Sequence, residues 1–506
     1  MTPKRYNFIL LHLIVSISAL INLLTGLRVH LVSDRTLYWL SPILPQGNLH
    51  DLHYISGIVL FSSALGYVFY VLRRKKRATK ASSPYHLWVQ YFGYVITLSA
   101  LISGALYWWQ FDFMNFQAWH FWSAIGMLFF LILHSLVYII QYGANVLKMV
   151  VPFRTLKQAR LSLTLLLSLG TAGAGWAFIY SGSQLPLTVK KISIDELVNV
   201  DGESSEAFWQ DAKEISVLTT GGANFIDGQT TVSIKAAANQ FETYFLFRWK
   251  DATKSLAHLP LFKQNGKWVV RQNGFHHFDE TTYYEDKFAV MISSTCGYGA
   301  DGTAYLGRKP IKGKPENWHG KGYHASMDNR IRDLWHWKAV RTNDMFQADD
   351  NFFGPASTPR FGERRYTAGY LTDGKDSGGY KMNWKWYSPH SVIPKRLPTE
   401  PSLVTRPLAW FGSQPYQKTH DTLPDGSEMP SVLYRSNQFE GDRANVRARG
   451  KWENGYWTLE VSRKHDTGSK HDVALEDGTC IWVSAFDHSQ IAHTRHHRPI
   501  QLEYVQ

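Results

Sequence analysis

Apolar and polar positions are distributed very unevenly along the chain. Long, almost uninterrupted apolar runs occur within the first 181 residues, whereas the remaining 325 residues alternate apolar and polar positions over short stretches. A helix of about 20 apolar residues is long enough to cross a lipid bilayer. The pattern therefore predicts five membrane spans, at about residues 6–27, 51–72, 87–109, 117–140 and 160–181.

Two histidines interrupt the fourth span, Gln117–Ile140. His120 and His134 are fourteen positions apart, which on one helix places both on the same face at a separation of about 21 Å. Ionisable side chains are costly inside a membrane, and by default they indicate function. Two stacked haems need one histidine near each membrane face, each with a second histidine from another helix. The alternative is two polar side chains that form hydrogen bonds inside a helix bundle.

The charges of the loops predict the orientation of the spans. Lysine and arginine are concentrated in three segments, at residues 4–5, 73–80 and 148–160. Loops rich in these residues stay on the cytoplasmic side of the membrane. An N-terminus inside and five spans then predict that the chain after the fifth span lies outside, which in a bacterium is the periplasm.

This orientation pairs the histidines by depth. His12 and His134 both lie in the cytoplasmic halves of their spans, so they can hold an inner haem. His50 and His53 open the second span on the outer side, and His120 opens the fourth span there. The outer haem is therefore predicted between His120 and either His53 or His50, since imidazole is a standard haem ligand.

Two span segments also resemble a known family. Residues 5–26, RYNFILLHLIVSISALINLLTG, and residues 53–61, HYISGIVLF, are similar to the first and second spans of the di-haem cytochrome b subunits of formate dehydrogenases and nickel–iron hydrogenases. The resemblance covers about residues 5–150. It implies a four-helix bundle with two b-type haems that carries electrons between a quinone pool and a partner redox centre. It also favours His53 over His50, because His53 starts the family's His-x3-Gly pattern.

Small residues recur within the spans and allow close approach of helices or of a porphyrin. They are Gly26, Gly57, Gly104 and Gly126. His30 and His86 lie at span ends and are interpreted as solvated interfacial residues. The fifth span has no ionisable residue, and its simplest role is to anchor the domain that follows.

The region after the spans predicts a mainly antiparallel β-domain. Segments such as TTVSIKAAA, TYFLFRW, KFAVMIS and IWVSAFD alternate apolar and polar residues between turn-forming residues, which is typical of a β-sandwich. Residues 204–212 predict one short helix, and residues 301–330 and much of 345–440 predict long loops. The predicted fold class is α+β multidomain, with a cytochrome b domain at 1–150, the fifth span and a linker at 151–190, and a sandwich-like β-domain at 191–506.

Three segments of this region resemble a second family. They are FRWKD at 247–251, YEDKFAVMIS at 284–293 and RDLWHWKAVR at 332–341. They are similar to the haem-binding subunit domain of ethylbenzene dehydrogenase, which binds one b-type haem through a methionine and a lysine and exchanges electrons with a molybdenum enzyme. The resemblance is most specific at the Trp-x-Trp-Lys segment.

The resemblance implies Met291 and Lys338 as ligands of a third haem. On a strand, Lys338 shares one face with His336, while the flanking tryptophans share the other. A buried lysine can lose its proton, as ligation requires. His324, His336 and Met327 remain rival ligands.

Clustered histidines outside these motifs leave alternatives open. They are the tail residues His488, His493, His496 and His497, and the pair His276 and His277. Such clusters can bind a metal, or they can form a hydrogen-bonded corner or a solvated surface.

Composition narrows the function further. The net charge of +13 lies largely in the loops between spans, so it predicts membrane topology rather than nucleic-acid binding. The chain has two cysteines, Cys296 and Cys480, and no CxxCH segment, which excludes c-type haem attachment; the two can form one disulfide if the domain is exported. No G-x-S-x-G, HExxH or phosphate-loop motif occurs.

These observations predict a bacterial inner-membrane electron-transfer protein. Its cofactors are two b-type haems in the spans and a third in the β-domain, and its partners are quinone or quinol, a periplasmic or membrane oxidoreductase subunit, and the bilayer. The alternative is a membrane-anchored sensor or carbohydrate-binding β-domain whose span histidines are structural.

Overall fold

The chain divides into two compact units, Met1–Ser183 and Gln184–Gln506. The computed structural model describes residues 3–33, 40, 44, 49–72, 84–109, 115–143, 170, 173, 184–271, 280–297, 303–305, 324–326, 328–355, 369–372, 378–388 and 390–505.

The first unit is helical in its described part. Its helices are α1 (Pro3–Ser33), α2 (His50–Leu72), α3 (Pro84–Trp108) and α4 (Phe116–Tyr142). All four are long and apolar enough to cross a membrane, which confirms the first four predicted spans. Helix α1 packs against α2 and α4, and α3 packs against α4. The fifth predicted span, about 160–181, lies outside the described residues except for Gly170 and Gly173.

The distribution of side chains in these helices is the reverse of that in a water-soluble bundle. Large apolar side chains point away from the helices, such as Val95 at 68% and Ile140 at 81% exposure. Small polar side chains are buried between the helices, such as Ser103 and Ser123. A surface helix in water shows the opposite arrangement, so the first unit is consistent with a membrane protein.

The ends of α4 are fixed by local chemistry. The Asn115 side chain accepts the backbone N–H of Ala118 at 2.9 Å, which satisfies one donor that the first helical turn leaves unpaired. Gly143 follows the helix with a φ of 52°, a conformation that glycine adopts without strain.

The second unit is built mainly of strands. Its one described α-helix is α5 (Ala207–Asp211), as predicted from residues 204–212, and its described 3-10 helices are Ile226–Gly228, Asn343–Met345, Lys418–His420 and Gly441–Ala444. The first strands in chain order are β1 (Leu185–Lys191), β2 (Ile215–Thr220), β3 (Gln229–Ala238), β4 (Glu242–Lys250), β5 (Leu261–Gln264), β6 (Lys267–Val270), β7 (Lys287–Ser293), β8 (Thr303–Tyr305), β9 (His324–Ser326), β10 (Arg332–Lys338), β11 (Asp349–Phe353) and β12 (Tyr370–Thr372). The later strands are β13 (Gly378–Met382), β14 (Trp384–Ser388), β15 (Ser391–Pro394), β16 (Arg396–Pro398), β17 (Ser413–Pro415), β18 (Glu428–Met429), β19 (Val432–Phe439), β20 (Arg447–Glu453), β21 (Tyr456–Lys464), β22 (Cys480–Phe486) and β23 (Ile500–Tyr504).

One large sheet organises the unit. Its order is β12-β11-β10-β7-β22-β23-β1-β3-β4-β21-β20, and β2 also pairs with β3. Only the pairings of β1 with β23 and with β3 are parallel among the described pairs of this sheet. The prediction of a mainly antiparallel β-domain is therefore confirmed.

The two arms of this sheet pack face to face. Trp249 in β4 stacks on Phe288 in β7 at a ring distance of 4.6 Å, and Trp457 in β21 contacts Trp337 in β10 at 5.0 Å. These pairs come from strands far apart in the sheet order, and all four side chains are at most 2% exposed. The shared core makes the domain sandwich-like, as predicted from the alternating strands.

The prediction of long loops across 345–440 is wrong in part. Strands β11 to β19 lie within this stretch, and several form small separate sheets. Strands β15, β16 and β17 each end on a proline, at Pro394, Pro398 and Pro415. Proline lacks a backbone N–H and is confined to strand ends and edges, so short strands of this kind have the composition of loops.

Cys296 and Cys480 form a disulfide, with their Cα atoms 5.4 Å apart. Cys480 is fully buried and begins β22, where it packs against Met291. The disulfide therefore ties the segment that follows β7 to the neighbouring strand of the same sheet.

Candidate functional site

The outer histidine pair consists of His53 in α2 and His120 in α4. Their ring centroids are 6.1 Å apart, with an interplanar angle of 82°. When two imidazoles bind one metal from opposite sides, each nitrogen is about 2 Å from the metal and about 1 Å from its ring centre, so the centroids lie about 6 Å apart. The pair therefore has the separation that a bis-histidine haem requires.

Hydrogen bonds orient both rings of the outer pair. Nδ1 of His53 is 3.0 Å from Thr25 Oγ1. Nδ1 of His120 lies 3.1 Å from the carbonyl oxygen of Ala100 and 3.3 Å from Ser103 Oγ. A ring that donates from Nδ1 keeps the lone pair of Nε2 for a metal, and such partners fix the tautomer and the ring orientation of metal ligands.

Two glycines provide the space for these rings. A Cβ atom at Gly26 would lie 2.9 Å from His53 Cε1, and a Cβ at Gly104 would lie 2.9 Å from His120 Cε1. Non-bonded carbon atoms do not approach one another this closely. Each histidine ring therefore occupies space that the Cβ of any residue other than glycine would need at positions 26 and 104. By contrast, a Cβ at Gly126 would meet Ile96 at 2.5 Å, which indicates close helix packing there.

The inner histidine pair joins His12 of α1 to His134 of α4. The ring centroids are 6.0 Å apart and the planes are inclined by 31°. Aromatic side chains of the same helix flank His134, with Phe130 at 5.3 Å and Tyr138 at 5.0 Å. This pair also has the separation expected for two ligands of one iron.

The remaining described histidines of the first unit are arranged differently. Of the two alternatives for the outer pair, His53 is the one whose ring lies 6.1 Å from His120; His50 begins α2 one turn earlier. His30 stacks on Phe121 at 3.8 Å, and His86 Nε2 is 2.7 Å from the side chain of Gln90.

In the second unit, Met291 and Lys338 lie on the same outer face of the large sheet. Met291 pairs with Leu334 of β10, whereas Lys338 pairs with Lys287 of β7. The two are therefore four positions apart along paired strands, a separation of about 13 Å. Met291 packs against Cys480 and Trp482, so its surroundings are apolar.

Lys338 is held in a buried polar network. Its ammonium forms an ion pair with Asp349 and donates to the hydroxyl of Tyr380 at 3.0 Å. Arg443 Nε donates to the other oxygen of Asp349 at 2.6 Å. Burial alone would raise the pKa of Asp349, but Lys338 and Arg443 hold it below its usual value. Burial lowers the pKa of Lys338, and Asp349 opposes this effect. The ammonium is thus already held by protein partners, and its role as an iron ligand stays a prediction.

His336 is the residue on this face with an available nitrogen. Within the described part of the chain, its buried Nε2 has no hydrogen-bond partner. Burial lowers the pKa of His336 well below its usual value, and nearby Lys338 adds to the effect. Its ring stacks on Phe486 at 5.3 Å, and Phe486 contacts His493 at 4.9 Å. The third haem remains a prediction, and His336 fits it better than Lys338.

The other predicted ligands include His324, which the structure describes, and residues that it does not describe. His324 contacts the ring of Phe353 at 5.7 Å and lies in β9. Met327, His276 and His277 are outside the described residues.

The tail histidine His496 forms a hydrogen-bonded corner, one of the alternatives that the sequence left open. Its Nε2 accepts the backbone N–H of Val483 at 2.9 Å, and its Nδ1 donates to the carbonyl of Arg498 at 2.8 Å. This pattern requires a neutral ring. Burial lowers the pKa of His496 to about 4.

Acid is expected to destabilise the β-domain through His496. Its pKa falls from 6.5 in the unfolded chain to about 4 in the folded protein, so the unfolded chain binds more protons between these values. Stability is therefore fully present above pH 6.5 and is lost as the pH falls towards 4, by about 3 kcal/mol. His496→Gln, which can accept and donate as the neutral ring does, should flatten this part of a plot of melting temperature against pH. An unchanged slope in the variant would contradict this role.

A comparison with known families assigns the second unit. The family described as ethylbenzene dehydrogenase matches residues 206–498. No curated protein matches the chain significantly.

Solved structures of low similarity were also found. A family 9 carbohydrate-binding module from Caldicellulosiruptor kristjanssonii in complex with glucose is 7% identical, with a TM-score of 0.25, and the match covers 63% of this chain and 97% of that one. A candidate carbohydrate-binding protein from Bacteroides uniformis ATCC 8492 is 9% identical, with a TM-score of 0.25 and coverages of 64% and 100%. TM-scores this low support no inference about fold or ligand. The family match, however, spans more than half of the chain, and on that ground the protein belongs to the ethylbenzene dehydrogenase family.

Proposed function

We propose that this protein transfers electrons between a membrane quinone pool and a periplasmic redox partner through two b-type haems in its helical unit. His12 with His134 would hold the inner haem, and His53 with His120 would hold the outer one. The observation that carries the proposal is that both pairs have ring centroids 6.0–6.1 Å apart. Two structural histidines could meet by packing. Two separate pairs with this separation, each with one histidine on α4, favour metal ligation.

The residues around the outer pair support its role as a ligand pair. Thr25 and Ser103 contact the Nδ1 atoms of His53 and His120, which leaves the Nε2 atoms for the iron. Gly26 and Gly104 keep space beside the rings. Bound haem iron supplies one-electron chemistry. Each pair would supply two histidine nitrogens to its iron and would leave no position for oxygen or substrate, which favours electron transfer.

The two pairs lie at different depths of the same bundle. His120 and His134 are fourteen residues apart on α4, which corresponds to about 21 Å along the helix axis. The inner pair would serve the cytoplasmic side and the outer pair the periplasmic side, as the loop charges predict.

Export of the second unit has independent support. The Cys296–Cys480 disulfide is typical of an oxidising compartment such as the periplasm. The family match implies a domain associated with an oxidoreductase. We therefore propose an inner-membrane protein whose partner is a periplasmic or membrane oxidoreductase subunit.

A carbohydrate-binding role is less well supported. The second unit is rich in aromatic residues, and sugars stack on exposed aromatic rings. Trp249, Trp335, Trp337 and Trp457 are each at most 2% exposed and pack in the core. These four rings stabilise the sandwich and are not available to a ligand, whereas Trp386, Trp410 and Phe411 are at least 40% exposed.

The first test is a reduced-minus-oxidised visible spectrum of the full-length protein purified in detergent. We expect b-type bands and about two haems per chain in the helical unit, because it contains two complete histidine pairs. A spectrum without b-type bands, from protein isolated from haem-sufficient cells, would refute the proposal.

A further inference from the structure

Three acidic residues meet at one end of the β-sandwich. Asp251 directly follows β4, Asp286 directly precedes β7, and Asp487 directly follows β22. In the paired strands β7 and β22, Lys287 lies opposite Phe486, so the two neighbouring aspartates are side by side. Strand β4 reaches the same place from the other arm of the sheet, where Trp249 stacks on Phe288.

The side chains converge as well as the strand ends. One ligand atom each from Asp286, Asp487 and His488 lies within 4.8 Å of the others. Asp286 is 0% exposed and Asp487 is 5% exposed. Three such groups at this separation can surround one cation.

The loop after β4 brings Asp251 to the same group. The Thr253 N–H donates to Asp251 Oδ1 at 3.1 Å, and Thr253 Oγ1 donates to Asp487 Oδ1 at 3.5 Å. The next contact is from the Ser255 N–H to Asp286 Oδ2, at 2.7 Å. The loop therefore contacts all three aspartates.

Asp251 has an oxygen atom that the protein does not satisfy. Asp251 is 1% exposed, and within the described residues its Oδ2 has no hydrogen-bond partner. Leaving a buried polar atom unpaired costs about 1–3 kcal/mol, and more when it is charged. An oxygen in this position is therefore suited to a ligand that the protein chain does not itself supply.

The acidic groups outnumber the one basic group at the site, His488, which pairs with Asp487. Lys287, the neighbour of Asp286, donates instead to the carbonyl of Gln490 at 2.8 Å and lies 4.0 Å over the ring of Phe486. Burial raises the pKa of Asp251 to about 7, and Asp487 raises it further. The same two causes, burial and neighbouring acids, raise the pKa of Asp286.

We propose that Asp286, Asp487 and His488 bind a divalent cation, with Asp251 as a further carboxylate beside the site. Carboxylate oxygens are the ligands that Ca²⁺ prefers, and Mn²⁺ accepts an imidazole as well. The cation would tie the ends of β4, β7 and β22 together and satisfy Asp251 Oδ2. The site is independent of the haem proposal, because it lies wholly within the second unit.

The test is metal content and metal-dependent stability of the full-length protein in detergent. After removal of metals with EDTA and dialysis against Ca²⁺ or Mn²⁺, we expect about one ion per chain. We also expect a melting temperature that EDTA lowers and the metal restores. Asp251→Asn and Asp487→Asn should each abolish both effects.

Asp421→Asn is the matched control. Asp421 has a buried side chain that pairs with Lys263 at 2.9 Å. Lys263 lies in β5, which belongs to a different sheet, so loss of Asp421 should leave the bound metal unchanged even if stability falls. The chelation experiment on the unaltered protein does not depend on how a variant folds. No bound ion in the unaltered protein, or equal binding in Asp251→Asn and Asp487→Asn, would overturn the proposal.

Discussion

Replacing His134 with alanine is expected to remove one of the two membrane haems and to leave the other in place. His134 is the α4 member of the inner pair, 6.0 Å from His12, whereas the outer pair has its own ligands. Haem measured per chain should therefore fall by about one equivalent, and the b-type bands of the outer site should remain.

Combining variants makes this expectation specific. His12→Ala should give the same loss, and adding it to His134→Ala should cause no further loss, because both remove the same haem. Adding His120→Ala to His134→Ala should remove all membrane haem. His86→Ala is the matched control, since His86 is a member of neither proposed pair and its Nε2 lies 2.7 Å from the side chain of Gln90. Full haem content in the His134→Ala protein would refute the pairing.

Replacing Arg463 with leucine is expected to destabilise the β-domain by about 3–5 kcal/mol. Arg463 of β21 forms an ion pair with Asp333 of β10, and both side chains are 0% exposed. The pair connects the two arms of the sandwich, and the Arg463 guanidinium also lies 5.2 Å from the ring of Trp335. Without the arginine, a buried carboxylate is left without its counter-charge.

The loss of stability in Arg463→Leu should increase as the pH rises. Burial raises the pKa of Asp333 to about 7, and Arg463 opposes that rise. In Arg463→Leu, Asp333 keeps its proton in the folded state, whereas in the unfolded chain it loses the proton near pH 4. The free energy of unfolding therefore falls as the pH rises. Thermal unfolding of the variant should therefore show a smaller loss at pH 5 than at pH 8.

Two further variants control for this result. Asp333→Leu combined with Arg463→Leu should be less destabilised than the sum of the single variants, since neither charge is then left alone. Arg447→Leu removes a surface pair, Arg447 with Glu242 at 2.5 Å, whose arginine is 48% exposed, and should cost less than about 1 kcal/mol. Equal losses in the buried and surface variants would contradict the argument.

Of the two family resemblances in the sequence, one is confirmed and one stays a prediction. The ethylbenzene dehydrogenase resemblance is confirmed by the family match over residues 206–498. The cytochrome b resemblance stays a prediction, although the four apolar helices that it requires are present. The assignment of Lys338 as a haem ligand also stays a prediction; its ammonium contacts Asp349 and Tyr380, and Arg443 contacts the same aspartate. These partners come from separate strands and loops, which no local motif brings together.

The amino-acid sequence by itself predicted the four long apolar helices, the pairing of their histidines and the alternating strands of the sandwich. These features depend on local periodicity, span length and loop charge, which can be read without knowing the fold. Short strands such as β15 to β17 could not be predicted, because their prolines are equally typical of loops.

Only the tertiary structure decided which side chains touch. It placed His53 beside His120, put Gly26 against the His53 ring, and gathered Asp251 and Asp487 at one end of the sandwich. These contacts join residues from distant parts of the chain. The physical reason is that they depend on helix rotation and strand register, and both are set by packing of the whole core rather than by any local segment.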